Sequence, residues 1–163
     1  MDFSASDWVH VGLTEAILSR DGPPLYIAAL RGCIASVKVM CAAGANLEVC
    51  GAGGQHPLHA AAAGGHAGIV AILLSSGCEV DVQDDDGNTP LMAAVMYGQA
   101  TSVEMLLAVG ADVDVTRSDG LTAKHMAQLP GTPSGVRELL ALGDPEVVEL
   151  PLYIASSGET TTP

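Results

Sequence analysis

Two kinds of segment recur along the chain in a fixed order. In residues 69–74 and again in 103–107, apolar residues recur three and four positions apart, which places them on one face of a helix. A glycine follows each of these segments, and after it come EVDV (79–82) and DVDV (112–115), where valines alternate with carboxylates. Strict alternation is typical of an extended segment with one buried side. The pattern therefore predicts helices separated by extended fingers.

The whole pattern repeats every 33 residues, as the prolines at 24, 57 and 90 show. GNTPLMAAVMYG (87–98) aligns with GQHPLHAAAAGG (54–65), PPLYIAALRG (23–32) and GLTAKHMAQLPG (120–131). The second halves follow in step at 36–49, 69–82, 102–115 and 135–144. Four copies in register indicate a repeat protein, in which each copy buries its apolar face against its neighbours.

Each copy carries helix start and stop signals. Thr89 is a suitable N-cap, and Pro90 occupies the first turn, where a missing N–H costs little. Glycine, which adopts a left-handed cap cheaply, ends both helices. The glycines that end the first helix are Gly32, Gly65 and Gly98, and those that end the second are Gly44, Gly77 and Gly110.

Over residues 21–144 the chain resembles the ankyrin repeat, a 33-residue unit with TPLHxA near its start and VVxLLLxxGA before a hairpin. The matching residues include Leu58, Ala61, His66, Leu91 and Gly143, together with the structural positions Pro24, Pro57, His59, Gly65, Gly77, Thr89, Pro90, Gly98, Gly110 and His125. The resemblance implies an all-α solenoid of stacked helix-turn-helix units with short β-hairpin fingers. It also implies that His59 and His125 tie neighbouring loops together, whereas Tyr26 and Met92 replace this histidine in the other copies.

The repeats divide the chain into segments. They are an N-terminal capping helix (1–20), repeats at 21–53, 54–86 and 87–119, an atypical terminal repeat (120–149), and a short C-terminal cap or truncated repeat with a disordered tail (150–163). In the terminal repeat, Pro130 and Pro133 are expected to shorten the first helix. PLYIA at 151–155 repeats PLYIA at 24–28, which favours either a capping helix or the start of a fifth unit.

Charge narrows the range of partners. Nineteen acidic residues against six basic ones give a net charge of −13, which disfavours nucleic acid and favours basic partners. Eight acids cluster in residues 79–86 and 112–119 and form what we call the acidic ridge: Glu79, Asp81, Asp84, Asp85, Asp86, Asp112, Asp114 and Asp119. The ridge either binds a partner or only keeps an alanine-rich chain soluble.

No motif in the sequence indicates a catalytic, cofactor or metal site. If Gly87 were the turn glycine of a calcium loop, Val82 and Ala93 would occupy ligand positions, and neither can ligate. CGAGGQH (50–56) departs from the dinucleotide-binding pattern, and the histidines stand at no metal or nucleophile spacing. The four cysteines show no CxxC spacing, which favours reduced thiols. We therefore expect no enzyme activity, cofactor or metal.

The resemblance implies partner binding through finger tips and the concave face of the first helices. The residues predicted to bind are Leu30, Arg31, Glu48, Glu79, Asp81, Asp84, Asp85, Asp86, Met96, Tyr97, Asp112, Asp114 and Arg117, with Ala63 on the same face. Met96 either contacts the partner or packs in the core. We expect a monomeric protein-interaction module that binds a basic segment of another protein, not nucleic acid or membrane. The alternative is a regulatory or targeting domain of a larger kinase, ubiquitin ligase or channel. The expected location is the cytoplasm, with the nucleus as the alternative.

Overall fold

The computed structural model describes residues 22–141. Within them the chain forms eight α-helices in four pairs: α1 (Pro24–Arg31) and α2 (Ile34–Ala42), α3 (Pro57–Ala63) and α4 (Ala67–Ser75), α5 (Pro90–Met96) and α6 (Ala100–Ala108), and α7 (Ala123–Ala127) and α8 (Ser134–Ala141). One 3-10 turn, Ala52–Gly54, precedes α3. The predicted capping helix at 1–20 and the predicted C-terminal segment at 150–163 lie outside the described residues.

The helix pairs follow the predicted register until the last one. The first helices begin at 24, 57, 90 and 123, whereas the second helices begin at 34, 67 and 100 and then, one residue late, at 134. Helix α7 has five residues where α3 and α5 have seven. The prolines explain both departures, because Pro130 cannot continue a helix and Pro133 delays the next one. The predicted shortening of this helix is confirmed.

Stacking of like helices buries the core. First helices pack on first helices and second helices on second helices from one pair to the next. Alanine fills much of the first-helix layer, and Ala29, Ala61 and Ala94 are completely buried. Small side chains let helix backbones approach closely, and Leu58 and Leu91 fill the remaining space. No single pair could bury these residues alone.

The predicted helix ends are present. Thr89 Oγ1 accepts a hydrogen bond from the backbone N–H of Met92 at 3.3 Å, and Pro90 is the first helical residue. The glycines after both helices have positive φ, with Gly98 at 67° and Gly110 at 89°. No atom would lie within 4 Å of a Cβ built on Gly110, so the backbone angle alone favours glycine there.

The three segments between helix pairs differ from the prediction. We call residues 43–56, 76–89 and 109–122 the first, second and third fingers, and none of them contains a strand. Each ends in a tight turn with two backbone hydrogen bonds, such as Asp84 N–H to Asn88 O at 3.0 Å and Gly87 N–H to Asp84 O at 2.9 Å. Because turns interrupt the valine-carboxylate alternation at 80–81 and 113–114, no β-hairpin ladder forms. Val80 and Val113 nevertheless pack against the core as the alternation predicts.

Candidate partner-binding surface

The fingers stand side by side along one edge of the stack. Glu48 Oε1 in the first finger accepts the N–H of Glu79 in the second at 3.1 Å. One repeat later, Asp81 Oδ1 accepts the N–H of Asp112 in the third finger at 2.9 Å. The Gln83 amide also donates to Thr116 O at 3.2 Å. The second and third fingers, which carry the acidic ridge, therefore lie side by side, as a regular stack of repeats requires.

Several ridge carboxylates hold the fingers in shape. Asp84 Oδ1 accepts the backbone N–H groups of Asp86 at 3.0 Å and Asn88 at 2.8 Å. Asp112 and Asp119 each accept a backbone N–H two residues further on. The bonds that span two residues are Asx turns, in which a short carboxylate replaces a backbone acceptor. The aspartate run before Gly87 is therefore, at Asp84, a structural turn.

Two carboxylates of the ridge, one of them the turn-forming Asp119, face cations. Asp114 Oδ1 lies 2.9 Å from Lys124 Nζ, and Asp119 Oδ1 lies 3.1 Å from Arg117 Nε. The Lys124 side chain is only 10% exposed, whereas that of Asp114 is 68% exposed. Arg117, predicted to bind a partner, is thus engaged within its own finger.

Three carboxylates remain open to solvent without such bonds. Glu79, Asp85 and Asp86 are exposed, and their carboxylates accept no hydrogen bond and form no ion pair with residues 22–141. The backbone N–H of Asp85 donates to Gly53 O at 3.0 Å, and the backbone O of Asp86 accepts from Ser118 N–H at 3.0 Å. Backbone contacts on both sides hold the two aspartates in place while their charges point outward.

The ends of the first helices carry exposed apolar side chains. Leu30 is 46% exposed, Met96 54% and Tyr97 66%. Of the two interpretations weighed for Met96, the structure supports an exposed side chain and not a core one. Arg31 is also exposed, whereas Ala63 is half-buried. A groove with a volume of about 580 Å³ separates Met96 and Tyr97 from residues 129–133. The groove lies where the shortened α7 leaves space.

Hydrogen bonds from His59 join two repeats. Its Nδ1 accepts the backbone N–H of His56 at 3.1 Å, so the ring proton sits on Nε2, which donates to Asn88 O at 2.7 Å. His59 is 1% exposed. Burial is the main reason why the pKa of His59 lies below its ordinary value, although the bond to Asn88 and the nearby Asp84 oppose that shift. His125 Nδ1 likewise accepts Thr122 N–H at 3.1 Å.

A model of three consecutive ankyrin repeats matches residues 25–117 and, one repeat later, residues 58–148. The two matches together cover most of the chain. The chain belongs to the ankyrin repeat family. No curated protein matches it. Ankyrin repeats generally mediate protein–protein interaction, so the exposed side chains above are candidates for a partner-binding surface.

Tyr26 and Met92 stand where the ankyrin histidine would be, and they behave differently. Tyr26 Oη donates to Gln55 Oε1 at 3.2 Å, across the same 29-residue separation that joins His59 to Asn88. The larger ring needs room, since a Cβ on Gly51 would lie 2.4 Å from it. Met92 is completely buried and makes no such bond. The inter-repeat contact is thus kept in the first repeat and replaced by packing in the third.

Sequence reasoning missed the polar contacts that join repeats. His66 Nε2 donates to Leu30 O at 3.3 Å, and Gln99 Nε2 donates to Ala63 O at 3.2 Å. Both donors follow the glycine that ends a first helix, and both acceptors lie at the end of the preceding first helix, where carbonyls lack helical partners. The polar side chains that recur one repeat apart, at 66 and 99, were the sequence signal that could have indicated these contacts.

The described residues show neither a metal centre nor a membrane span. Among residues 22–141, no three or more His, Cys, Asp or Glu side chains are arranged to hold a metal ion. No helix in that part of the chain is both long and apolar enough to cross a bilayer. Cys33, Cys41, Cys50 and Cys78 are free thiols.

Proposed function

We propose that this ankyrin repeat chain is a non-enzymatic interaction module that binds a basic, partly extended segment of another protein. The observation that carries the proposal is the set of three exposed, unpaired carboxylates, Glu79, Asp85 and Asp86, on one edge of the stack. Exposed carboxylates attract Lys and Arg side chains and keep their charge available to a partner. The acids used in finger turns shape this surface and do not bind directly.

The apolar part of the surface lies within reach of the same segment. Helix α5 has seven residues and is therefore about 10 Å long at 1.5 Å per residue. An extended peptide covers that length with about three residues. Basic side chains at the second finger would thus place an apolar side chain near Met96 and Tyr97. Aromatic and methionine side chains are enriched in binding interfaces.

Paired charge variants test the proposal. The first is Asp85→Asn with Asp86→Asn, and its matched control is Glu104→Gln with Glu138→Gln, which removes two exposed acids from the second helices. The probe is a labelled ten-residue peptide with four lysines and two leucines, and its affinity is measured by fluorescence anisotropy. Circular dichroism checks that both variants stay helical.

We expect the finger variant to weaken binding about two- to thirty-fold, since each exposed pair contributes roughly 0.2–1 kcal/mol. The control should bind like the unchanged chain, and affinity should fall steeply with salt. Equal loss in both variants would mean that overall charge attracts the peptide, and the finger surface would be rejected. If binding were independent of salt and were lost in Tyr97→Ala, the groove would be the binding site instead.

Monomeric state and a cytoplasmic or nuclear location remain part of the proposal. Sedimentation equilibrium would test the first, and localisation of a tagged chain the second. The alternative, a regulatory or targeting domain of a larger protein, would use the same surface.

A further inference from the structure

A thiol, an imidazole and a carboxylate meet at the end of the first finger. Cys50 Sγ lies 3.5 Å from His56 Nε2, and the same nitrogen lies 3.8 Å from Glu48 Oε2. Sγ is also within 3.8 Å of Glu48 O. The carboxylate faces the nitrogen that faces the sulfur, while His56 Nδ1 is buried without a partner. A Cys-His-acid triad would need the acid on the far nitrogen, so the cluster is a thiol-imidazole pair.

Cys50 is the one cysteine of the four that combines exposure with an imidazole contact. Cys78 is buried, and burial raises the pKa of its thiol to about 12, so its nucleophilic thiolate is scarce. Cys41 is partly buried. Cys33 is exposed, but its Sγ has no hydrogen-bond partner among the described residues. Cys33 is therefore a natural reference for an unassisted thiol.

Glu48 opposes ionisation of the thiol, since two negative charges repel each other. Two features weaken its effect. Its side chain is 42% exposed, so solvent and salt screen its charge, and its other oxygen accepts the N–H of Glu79. The imidazole is closer to the sulfur than to the carboxylate, and its side chain is only 13% exposed. His56 Nε2 is therefore the group placed to accept the thiol proton.

We propose that Cys50 is a modification site for small-molecule disulfides such as glutathione disulfide, with His56 as the base that activates its thiol. His56 Nε2 takes the proton from Sγ, and the thiolate attacks one sulfur of the disulfide. A new Sγ–S bond forms as the old S–S bond breaks, and the departing sulfur keeps that electron pair and takes the proton from the imidazolium. Cys50 is oxidised and the disulfide reduced, with no other co-reactant.

The test measures the reaction rate of each cysteine in the full chain. Glutathione disulfide is the probe, acid stops the reaction, and peptide mass spectrometry gives a rate constant for each thiol. We expect Cys50 to react about tenfold faster than Cys33, because a base in contact with a thiol raises the available thiolate. His56→Asn should lower the Cys50 rate to that of Cys33. The matched control, His66→Asn, removes another imidazole and should leave the Cys50 rate unchanged.

The pH profile separates activation from a structural role of His56. A simple thiol reacts about tenfold faster per pH unit below its pKa, whereas a thiolate-imidazolium pair gives a shallower profile between pH 6 and 8. The unchanged chain should show the shallow profile at Cys50 and the steep one at Cys33. Equal rates and equally steep profiles for the two cysteines would overturn the proposal. This comparison needs no substitution, so it decides even if His56→Asn disturbs folding.

Discussion

Replacing His59 by leucine tests how much one inter-repeat hydrogen bond stabilises the stack. The substitution removes the ring but keeps a side chain of similar size. It removes the donor that lay 2.7 Å from Asn88 O, which still accepts the Asp84 N–H at 3.0 Å, and it frees the half-buried N–H of His56. A matched control exists one repeat later, because Met92 is equally buried and makes no such bond. The control variant is Met92→Leu.

The expected loss of stability follows from the hydrogen-bonding groups that lose a partner. Asn88 O keeps one donor, so losing the buried bond from His59 costs about 0.5–1.5 kcal/mol, and losing the bond to the partly solvated His56 N–H costs about 1 kcal/mol. Burying the more apolar leucine offsets about 1 kcal/mol. The net loss is about 0.5–1.5 kcal/mol. Met92→Leu conserves volume and removes no hydrogen bond, so it should cost less than His59→Leu does.

Urea unfolding followed by circular dichroism measures both losses. A lower midpoint with an unchanged m-value would show that stability changed and not the extent of unfolding. If His59→Leu lost no more stability than Met92→Leu, the hydrogen bond between repeats would not stabilise the stack, and the reasoning would be refuted.

Three further predictions follow from local geometry. Gly110→Ala should destabilise the chain by about 1–2 kcal/mol because φ is positive at Gly110. Gly135→Ala, in helix α8 with no atom near its Cβ, should instead stabilise the chain by about 0.5–1 kcal/mol. If urea titrations showed stability changes of the same sign for both variants, the left-handed cap at Gly110 would be contradicted. Gly51→Ala should cost about 1–3 kcal/mol through its clash with the Tyr26 ring, and adding Tyr26→His should restore much of the lost melting temperature. Because the folded-state pKa of His59 is lowered, the unfolded chain binds the proton first, so stability should fall as pH drops below about 6.5; His59→Leu should show a smaller fall between pH 7.5 and 5.

The fold was largely predictable because its signals are local. Helices α1, α3 and α5 begin at prolines, whose missing N–H costs little there, and glycines such as Gly44 and Gly77 follow the second helices with positive φ. The shortened α7 follows from Pro130 in the same way. The predicted β-hairpins are not confirmed, because the valine-carboxylate alternation describes burial and cannot show whether successive backbone pairs will form.

The sequence predicted where the candidate binding surface lies but not which of its side chains face solvent. The spacing placed Asp84, Asp85 and Asp86 in one turn, yet nothing in three identical residues indicates that the first closes the turn and the other two face solvent. The exposure of Met96 also depends on how far the next repeat reaches. These differences arise from neighbouring backbone groups whose positions only the folded stack defines.

The sequence by itself determined the period, the helix ends and the family, because proline, glycine and apolar spacing act on backbone conformation within a few residues. Tertiary structure alone decided which polar groups meet. Glu48 reaches Glu79, Tyr26 reaches Gln55, and the Cys50 thiol faces an imidazole because stacking and finger turns bring these atoms within a few ångströms. Hydrogen bonds and proton transfer depend on distances at that scale, and residue types and spacing do not fix them.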